Sequence, residues 1–240
     1  MSLIIDYKNK MKRIVVLSGA GISAESGLRT FREMGGLWEE YDVMEVASPQ
    51  AWHKNPELVM RFYNERRKQL YNAQPNNGHK ALVELEDKFI VNIVTQNVDD
   101  LHERAGSSSV LHLHGELKKS RSQIDYNLIY DIDGWELKFG DKCEKGSQLR
   151  PHIVWFGEEV PALDKAIPIV ADADILIIVG TSLNVYPAAG LVNYAPSDCH
   201  LYLVDPNTID SRINNKVTFI QKNAGEGLPL LVKKLIESYI

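Results

Sequence analysis

"RIVVLSGAGISAESG", residues 13–27, joins a short aliphatic run to a cluster of glycines and small polar residues. The run 13–18 carries no charge after Arg13 and ends at a glycine, so it predicts a buried strand. Gly19, Gly21 and Ala24 then follow the spacing of a dinucleotide turn with alanine in its last place. Small residues let backbone N–H groups approach a pyrophosphate, and the N-terminus of the following helix favours its charge. A purely steric tight turn produces the same pattern. Its position directly after a strand favours the nucleotide.

Outward from this stretch, four more runs read as buried strands: 89–97, 173–182, 199–207 and 217–221. Helical patterns at 78–88, 187–195 and 227–239 alternate with them. Continuous apolar strands alternating with helices predict an α/β fold, a Rossmann-like parallel sheet with helices on both faces. Two regions break the rhythm. Residues 34–75 are helical and rich in aromatics, and 116–150 are polar, with "DIDGWELKFGDKCEKG" reading as turns and a short hairpin. Both are expected to lie outside the main sheet as a smaller lobe. The core is then 1–33, 76–115 and 151–240, and a cleft between lobes is a usual ligand site.

The 240 residues carry 27 Lys+Arg against 32 Asp+Glu, a net charge of −5, which argues against a nucleic-acid binder. No apolar run approaches the ~20 residues of a membrane span. The start, "MSLIIDYKNKMKR", lacks the features of a signal peptide. Two cysteines, Cys143 and Cys199, are too few for a disulfide scaffold, so a reducing, cytoplasmic setting is expected.

"TQNVDDLHERAG" (95–106) places Gln96, Asn97, Asp99 and Asp100 at the end of the second strand, where open α/β sheets hold ligands. Asn97 or Asp99 also suits a cap for the helix that follows. In "LHLHGEL" (111–117), His112 and His114 alternate and point to one side of an extended segment. A neutral imidazole there takes a proton from a hydroxyl near pH 7; a His before Gly is more often structural, and as a metal pair the two lack a third ligand at a suggestive spacing. Asp205 ends a later strand, placed either to accept ribose hydroxyls or to start a turn before Pro206.

Five blocks together resemble the sirtuins: "GAGISAESGLRTFR" (19–32), "TQNVDDLHERAG" (95–106), "LHG" (113–115), "PHIVWFGE" (151–158) and "GTSLNVYPAAGL" (180–191). They occur in family order and span most of the chain. The resemblance implies an NAD-dependent protein deacylase on a Rossmann core, with NAD as cofactor and acylated lysines of proteins or peptides as partners. It implies release of nicotinamide and an O-acyl-ADP-ribose. It places Ala20, Gly21 and Ser23 in the cofactor loop with Glu25 beside them. Phe31 would screen the nicotinamide face and Arg32 would hold the phosphate side. Gln96 would meet the nicotinamide ribose, and Asn97 and Asp99 would line the nicotinamide pocket. His114 would be the general base. Gly180, Thr181 and Ser182 would meet the adenosine end, with Asp205 on its ribose. Phe156, Gly157 and Glu158 would pair with substrate backbone.

The sequence departs from the resembling family in two places. The family's small lobe usually holds zinc on two cysteine pairs; 116–150 has Cys143 alone, so no structural zinc is expected. Packing of Tyr126, Tyr130, Trp135 and Phe139 is expected to hold that lobe instead. Arg29 stands where proline is common.

One sirtuin subgroup removes succinyl, malonyl and glutaryl groups. It carries Tyr and Arg three apart on a small-lobe helix with a nearby Ala. "FYNERR" (62–67) supplies Tyr63 and Arg66, and "EVASPQAW" supplies Ala47. A guanidinium forks onto a carboxylate and a phenol adds a third bond. The plain alternative is a solvated basic face formed by Arg61, Arg66, Arg67 and Lys68. Arg67, adjacent to Arg66, is expected to point away from the Arg66 face.

Overall fold

The computed structural model describes residues 11–29, 42–181, 183, 185–207 and 217–238. Phe31, Arg32 and Ser182 lie outside the described residues. The helical elements are α1 (Gly21–Ala24), α2 (Val43–Val46), α3 (Pro49–Lys54), α4 (Pro56–Asn72), α5 (Asn77–Glu84), α6 (Leu101–Ala105), α7 (Leu163–Ala171) and α8 (Ala224–Ser238), with 3₁₀ turns at Leu85–Asp87 and Ala188–Tyr194. The strands are β1 (Arg13–Ser18), β2 (Ile90–Thr95), β3 (Val110–His112), β4 (Gly115–Ser122), β5 (Ile129–Asp131), β6 (Leu149–Ile153), β7 (Ile175–Val179), β8 (His200–Val204) and β9 (Val217–Ile220).

Six strands form a wholly parallel sheet in the order β3-β2-β1-β7-β8-β9. The order reverses beside β1, so the carboxyl ends of β1 and its neighbours open a crevice there. The period of two sends alternate side chains of β1 to opposite faces. Ile14 and Val16 pack with Leu82 of α5 and Leu228, Leu231 and Leu235 of α8. Val15 and Leu17 pack with Ala166 and Val170 of α7 and with Leu191. Both faces are therefore covered, which explains why these strands read as unbroken apolar runs. The described helices include none long and apolar enough to cross a membrane.

A second, three-stranded antiparallel sheet, β5-β4-β6, frames the segment after β5, which runs as the expected turns and closes in a short antiparallel bridge between Lys142 and Gln148. It shares a core with α2–α4, in which Trp52, Val59, Phe62, Tyr63 and Leu70 meet Leu117, Leu149, Ile153 and Trp155. Helix α4 starts cleanly: Asn55 accepts a bond from Leu58 N at 3.1 Å and Pro56 occupies the first turn. Val59, Tyr63, Arg67 and Leu70 lie along one stripe of this helix, and all four are buried.

The basic run is thus not a uniformly solvated face. Arg61 and Lys68 are exposed, but Arg67 is 0% exposed. Its Nε donates to Leu117 O at 2.5 Å, and its Nη1 donates to Asn64 Oδ1 and Trp135 O, each at 2.7 Å. Asn64 in turn holds Leu137 through both its amide groups, at 2.9 and 3.0 Å. One guanidinium therefore ties α4 to β4 and to the loop 135–137. Burial lowers its pKa to about 10, with the Tyr71 phenol opposing.

The aromatic core expected for this lobe is corrected. Tyr126, Trp135 and Phe139 are 40%, 40% and 65% exposed, and only Tyr130 packs partly against the core. The sheet has one face on the helices, and that face is filled by Leu117, Leu137, Cys143 and Leu149. The loop aromatics lie outside, and cations cover two of them: Arg121 sits 4.3 Å from the Tyr126 ring centre and Lys68 5.3 Å from that of Trp135.

The donors in this lobe do not fit a structural zinc. Cys143 Sγ donates to Ser122 Oγ at 3.3 Å, and Lys145 holds Asp125 at 2.7 Å. Among the described residues no three His, Cys, Asp or Glu side chains gather to hold a metal ion.

Candidate active site

Helix α1 begins where β1 ends, and its loop is locked to the loop after β7. Gly19 N donates to Val179 O at 3.0 Å, and Gly21 N to Gly180 O at 2.9 Å. Gly180 has φ +62°, and a Cβ there would lie 2.2 Å from Ile22 N. Only glycine permits this approach. Beyond this junction a cleft of about 430 Å³, its open mouth included, is lined among others by Ala20, Ser23, Arg29, Arg66, Asn97 and Asp99.

Three of these side chains form one network. Ser23 Oγ donates to Asp99 Oδ2 at 3.0 Å and accepts from Asn97 Nδ2 at 3.2 Å. Asp99 Oδ1 accepts from Leu101 N, the first N–H of α6, at 3.2 Å; the N-cap position itself is Asp100, without a side-chain cap bond. Burial raises its pKa, against the bonds from Leu101 and Ser23. Gln96 Nε2 reaches Thr181 Oγ1 at 3.3 Å, which links the turn after β2 to the loop after β7.

The two histidines of "LHLH" bond to successive carbonyls of that turn. His114 Nδ1 lies 3.1 Å from Gln96 O, and His112 Nδ1 lies 2.8 Å from Asn97 O. A carbonyl only accepts, so both Nδ1 atoms carry hydrogen. For His114 this leaves Nε2 with its lone pair, the form a general base requires. Burial lowers the His114 pKa, with the Gln96 carbonyl opposing. The turn is backed by Thr95 and Ser18: Thr95 Oγ1 accepts from Asn97 N at 3.0 Å and from Ser18 Oγ at 2.9 Å. Ser18 Oγ lies 2.9 Å from His102 Nε2, and the His102 ring meets His79 at 4.9 Å between centroids.

Other residues expected from the sequence stand at the rim or behind it. Glu25 accepts from Gly225 N at 2.6 Å and so faces the start of α8. Asp205 is buried and closes its own turn, accepting from Asn207 N at 2.8 Å. Phe156, 42% exposed, donates its backbone N–H to Ala47 O at 3.0 Å. The N–H groups of Val154 and Glu158 are bonded to His114 O and Trp155 O, each at 3.0 Å. Gly157, at φ +92°, shapes the turn between them.

The lining of the cleft includes Arg66, while Tyr63 and Ala47 lie in the packed layer beside it. Burial lowers the Arg66 pKa to about 10; the Tyr63 phenol and Asp99 oppose this, and Arg29 adds to it. Burial raises Tyr63 to about 12, so its hydroxyl keeps its proton. That hydroxyl accepts from Trp155 Nε1 at 3.1 Å.

Trp155, Arg150 and the side chain of Glu158 form a support that sequence reasoning missed. Arg150 stacks over Trp155, 3.2 Å from the ring centre. It grips Glu158 with two bonds of 2.6 and 3.1 Å, and Glu158 also accepts from Trp155 N and Arg121. The charges were visible in the sequence, but nothing in their spacing pairs residues from β4, β6 and the turn after β6.

The comparisons with known proteins agree with this geometry. Residues 19–187 match the family described as Sir2 family. An "NAD-dependent protein deacylase" of Helicobacter pylori (strain J99) is 56% identical over 229 residues, covering 95% of this chain and 97% of the relative. One of Bacteroides thetaiotaomicron with the same name is 52% identical, covering 94% and 99%. Among solved structures, a "Sir2 homolog-NAD complex" superposes with TM-score 0.87 at 38% identity, covering 100% of this chain and 95% of that one. A Sir2 protein with a deacetylated p53 peptide and 3'-O-acetyl ADP ribose superposes with TM-score 0.78 at 30% identity, covering 99% and 98%. With motif order, sheet topology and near full-length similarity in agreement, this chain belongs to the Sir2 family, the sirtuins.

Proposed function

We propose that the cleft removes acidic acyl groups (succinyl, malonyl or glutaryl) from lysine side chains. The chain is an NAD-dependent protein deacylase. The observation that carries the finer reading is the position of Arg66. It comes from α4, far in sequence from the cofactor loop, yet it lines the same cleft as Ser23, Asn97 and Asp99. A guanidinium in a desolvated wall rewards a carboxylate far more than a methyl group.

When bound, NAD would supply the acceptor for the acyl group, with nicotinamide as its leaving group and one water consumed in freeing the lysine. The chain's residues divide the remaining tasks. Gly19, Ala20, Gly21 and Ser23 hold the cofactor at the end of β1: the N–H groups of Gly19 and Gly21 are spent on Val179 O and Gly180 O, so these small residues act by letting the cofactor approach the sheet's crevice, which Ala20 and Ser23 line. Asn97 and Asp99 shape the nicotinamide end, and Gln96 and Thr181 hold the ribose side. His114 takes a proton from a ribose hydroxyl at Nε2. Ala47, kept small, leaves room for an acid longer than acetyl. The segment Phe156–Gly157–Glu158 lines the substrate backbone, with its carbonyls and Gly157 N–H as the groups for pairing. Residues 34–75 and 116–150 form the acyl-selecting lobe, and 1–33, 76–115 and 151–240 the cofactor-binding core. The lobe functions without structural zinc.

The test is a panel of succinyl-, malonyl-, glutaryl- and acetyl-lysine peptides with NAD, following nicotinamide release and deacylated product together. Acidic acyl peptides should turn over with kcat/KM at least about tenfold above acetyl peptide. Equal turnover of all four would reduce the protein to a broad deacylase. Absence of peptide-dependent nicotinamide release, unchanged by His114→Ala, would leave only an NAD-binding module.

A further inference from the structure

His112 belongs to the same motif as His114 but is used differently. His114 has one ring nitrogen on an acceptor, whereas His112 has both. Its Nδ1 faces Asn97 O at 2.8 Å and its Nε2 faces Glu103 Oε1 at 2.7 Å. Neither partner is a donor when Glu103 is ionised, so both ring nitrogens must carry hydrogen and the ring is an imidazolium. The side chain is 8% exposed, so water does not compete for these bonds.

The inference rests on the assignment of the Gln96–Asp99 turn to the cofactor. We infer that His112 is a positioning residue, positively charged at neutral pH, that ties the Asn97 carbonyl to Glu103 of α6 and so fixes the turn receiving the cofactor's nicotinamide end.

The charges around it agree. Glu103 comes from α6, Glu116 and Lys119 from β4, and Asp99 from the turn itself; His102 of α6 feels the charges of His112 and His79, and His79 of α5 feels that of Glu103. Burial alone would pull the His112 pKa down. The bond and charge of Glu103, the Asn97 carbonyl and Glu116 together outweigh it and leave the pKa raised above 6.5. Burial pushes Glu103 the other way, yet His112 and Lys119 hold it below its ordinary value, so the pair is ionised. With a raised folded pKa, the contribution of His112 is full below the ordinary histidine value and is lost as pH rises through the folded one. The cofactor site should therefore loosen on the alkaline side, whereas loss of the His114 base limits the rate on the acid side.

Two measurements test this. In ¹⁵N-histidine-labelled wild-type protein at pH 7, the His112 ring should show two protonated nitrogens and His114 one. In Glu103→Gln, which keeps an acceptor and removes the charge, the alkaline rise in KM for NAD should begin about one pH unit lower than in wild type. At pH 8 that KM should be about fivefold higher, with kcat changed less than about twofold. A neutral His112 ring at pH 7, or a Glu103→Gln profile superimposable on wild type, overturns the inference. Unchanged NAD affinity in Asn97→Ala would instead remove the assignment of the turn, and the inference with it.

Discussion

Arg66→Met and Arg67→Met alter neighbouring residues and should produce opposite phenotypes. Arg67 makes three hydrogen bonds of 2.5–2.7 Å from a fully buried guanidinium, two of them to main-chain carbonyls of β4 and the 135–137 loop. Each charge-assisted bond contributes ~1.5–3 kcal/mol, and the cost of burying the ion offsets part of the sum. A net loss of about 3 kcal/mol follows, which in a chain of this size lowers Tm by roughly 6–12 °C. Arg66 instead lines the cleft, so Arg66→Met should leave Tm within about 3 °C. Its loss removes about 2–3 kcal/mol of attraction for an acyl carboxylate, roughly 30- to 150-fold in kcat/KM for succinyl peptide. Acetyl peptide should change by less than about threefold. Thermal unfolding and initial rates of nicotinamide release with the two peptides separate the cases. Equal loss on both peptides in Arg66→Met, or an unchanged Tm in Arg67→Met, would refute the division between them.

Trp155→Phe keeps a ring beneath Arg150 but removes the N–H that orients the Tyr63 hydroxyl, and should cost about fivefold on acidic acyl peptides and little on acetyl. Titration of the variant with succinyl and acetyl peptides checks this. His79 is fully buried, and neither of its ring nitrogens has a hydrogen-bond partner among the described residues. Burial lowers its pKa to about 4, against the charge of Glu103. Below pH 6.5 the unfolded chain binds this proton and the folded chain does not, so stability falls between pH 6.5 and 4 by about 3 kcal/mol from this site. The stability that wild type loses from pH 6.5 to 4, read from urea melts, should exceed the loss in His79→Gln by that amount. Overnight treatment with a strong chelator should leave Tm and deacylation rate unchanged; a fall in either would restore a metal to the small lobe.

The main sheet was legible because its strands are buried on both faces and carry that burial as unbroken aliphatic runs. Strand β3 is only three residues long and merges with the "LHLHG" motif, so its composition gave little sign of it. Helix α7 contains Pro168, which obscures a helical pattern. The small lobe was misjudged for a different reason. Its residues bury one thin face, so leucines and a cysteine suffice, and Tyr126, Trp135 and Phe139 stay outside. Arg67 looked like one more surface charge, although spacing from Val59 and Tyr63 puts it on the buried stripe. Within the site, the motifs indicated which residues gather at the strand ends. They carried no sign of the Trp155–Arg150–Glu158 support, whose partners meet only through the second sheet.

The interlock of Gly21 and Gly180 also bears on how such a protein can be altered. The loops after β1 and β7 approach so closely that a methyl group on either glycine would strike the other's backbone. They form one welded piece, and a change in one loop must propagate to the other. The proposed acyl wall is built differently, from side chains projecting off α4. If the proposed role of Tyr63 and Arg66 holds, substrate range can drift, or be redesigned, by exchanging those side chains, while two loops so interlocked resist retuning one residue at a time.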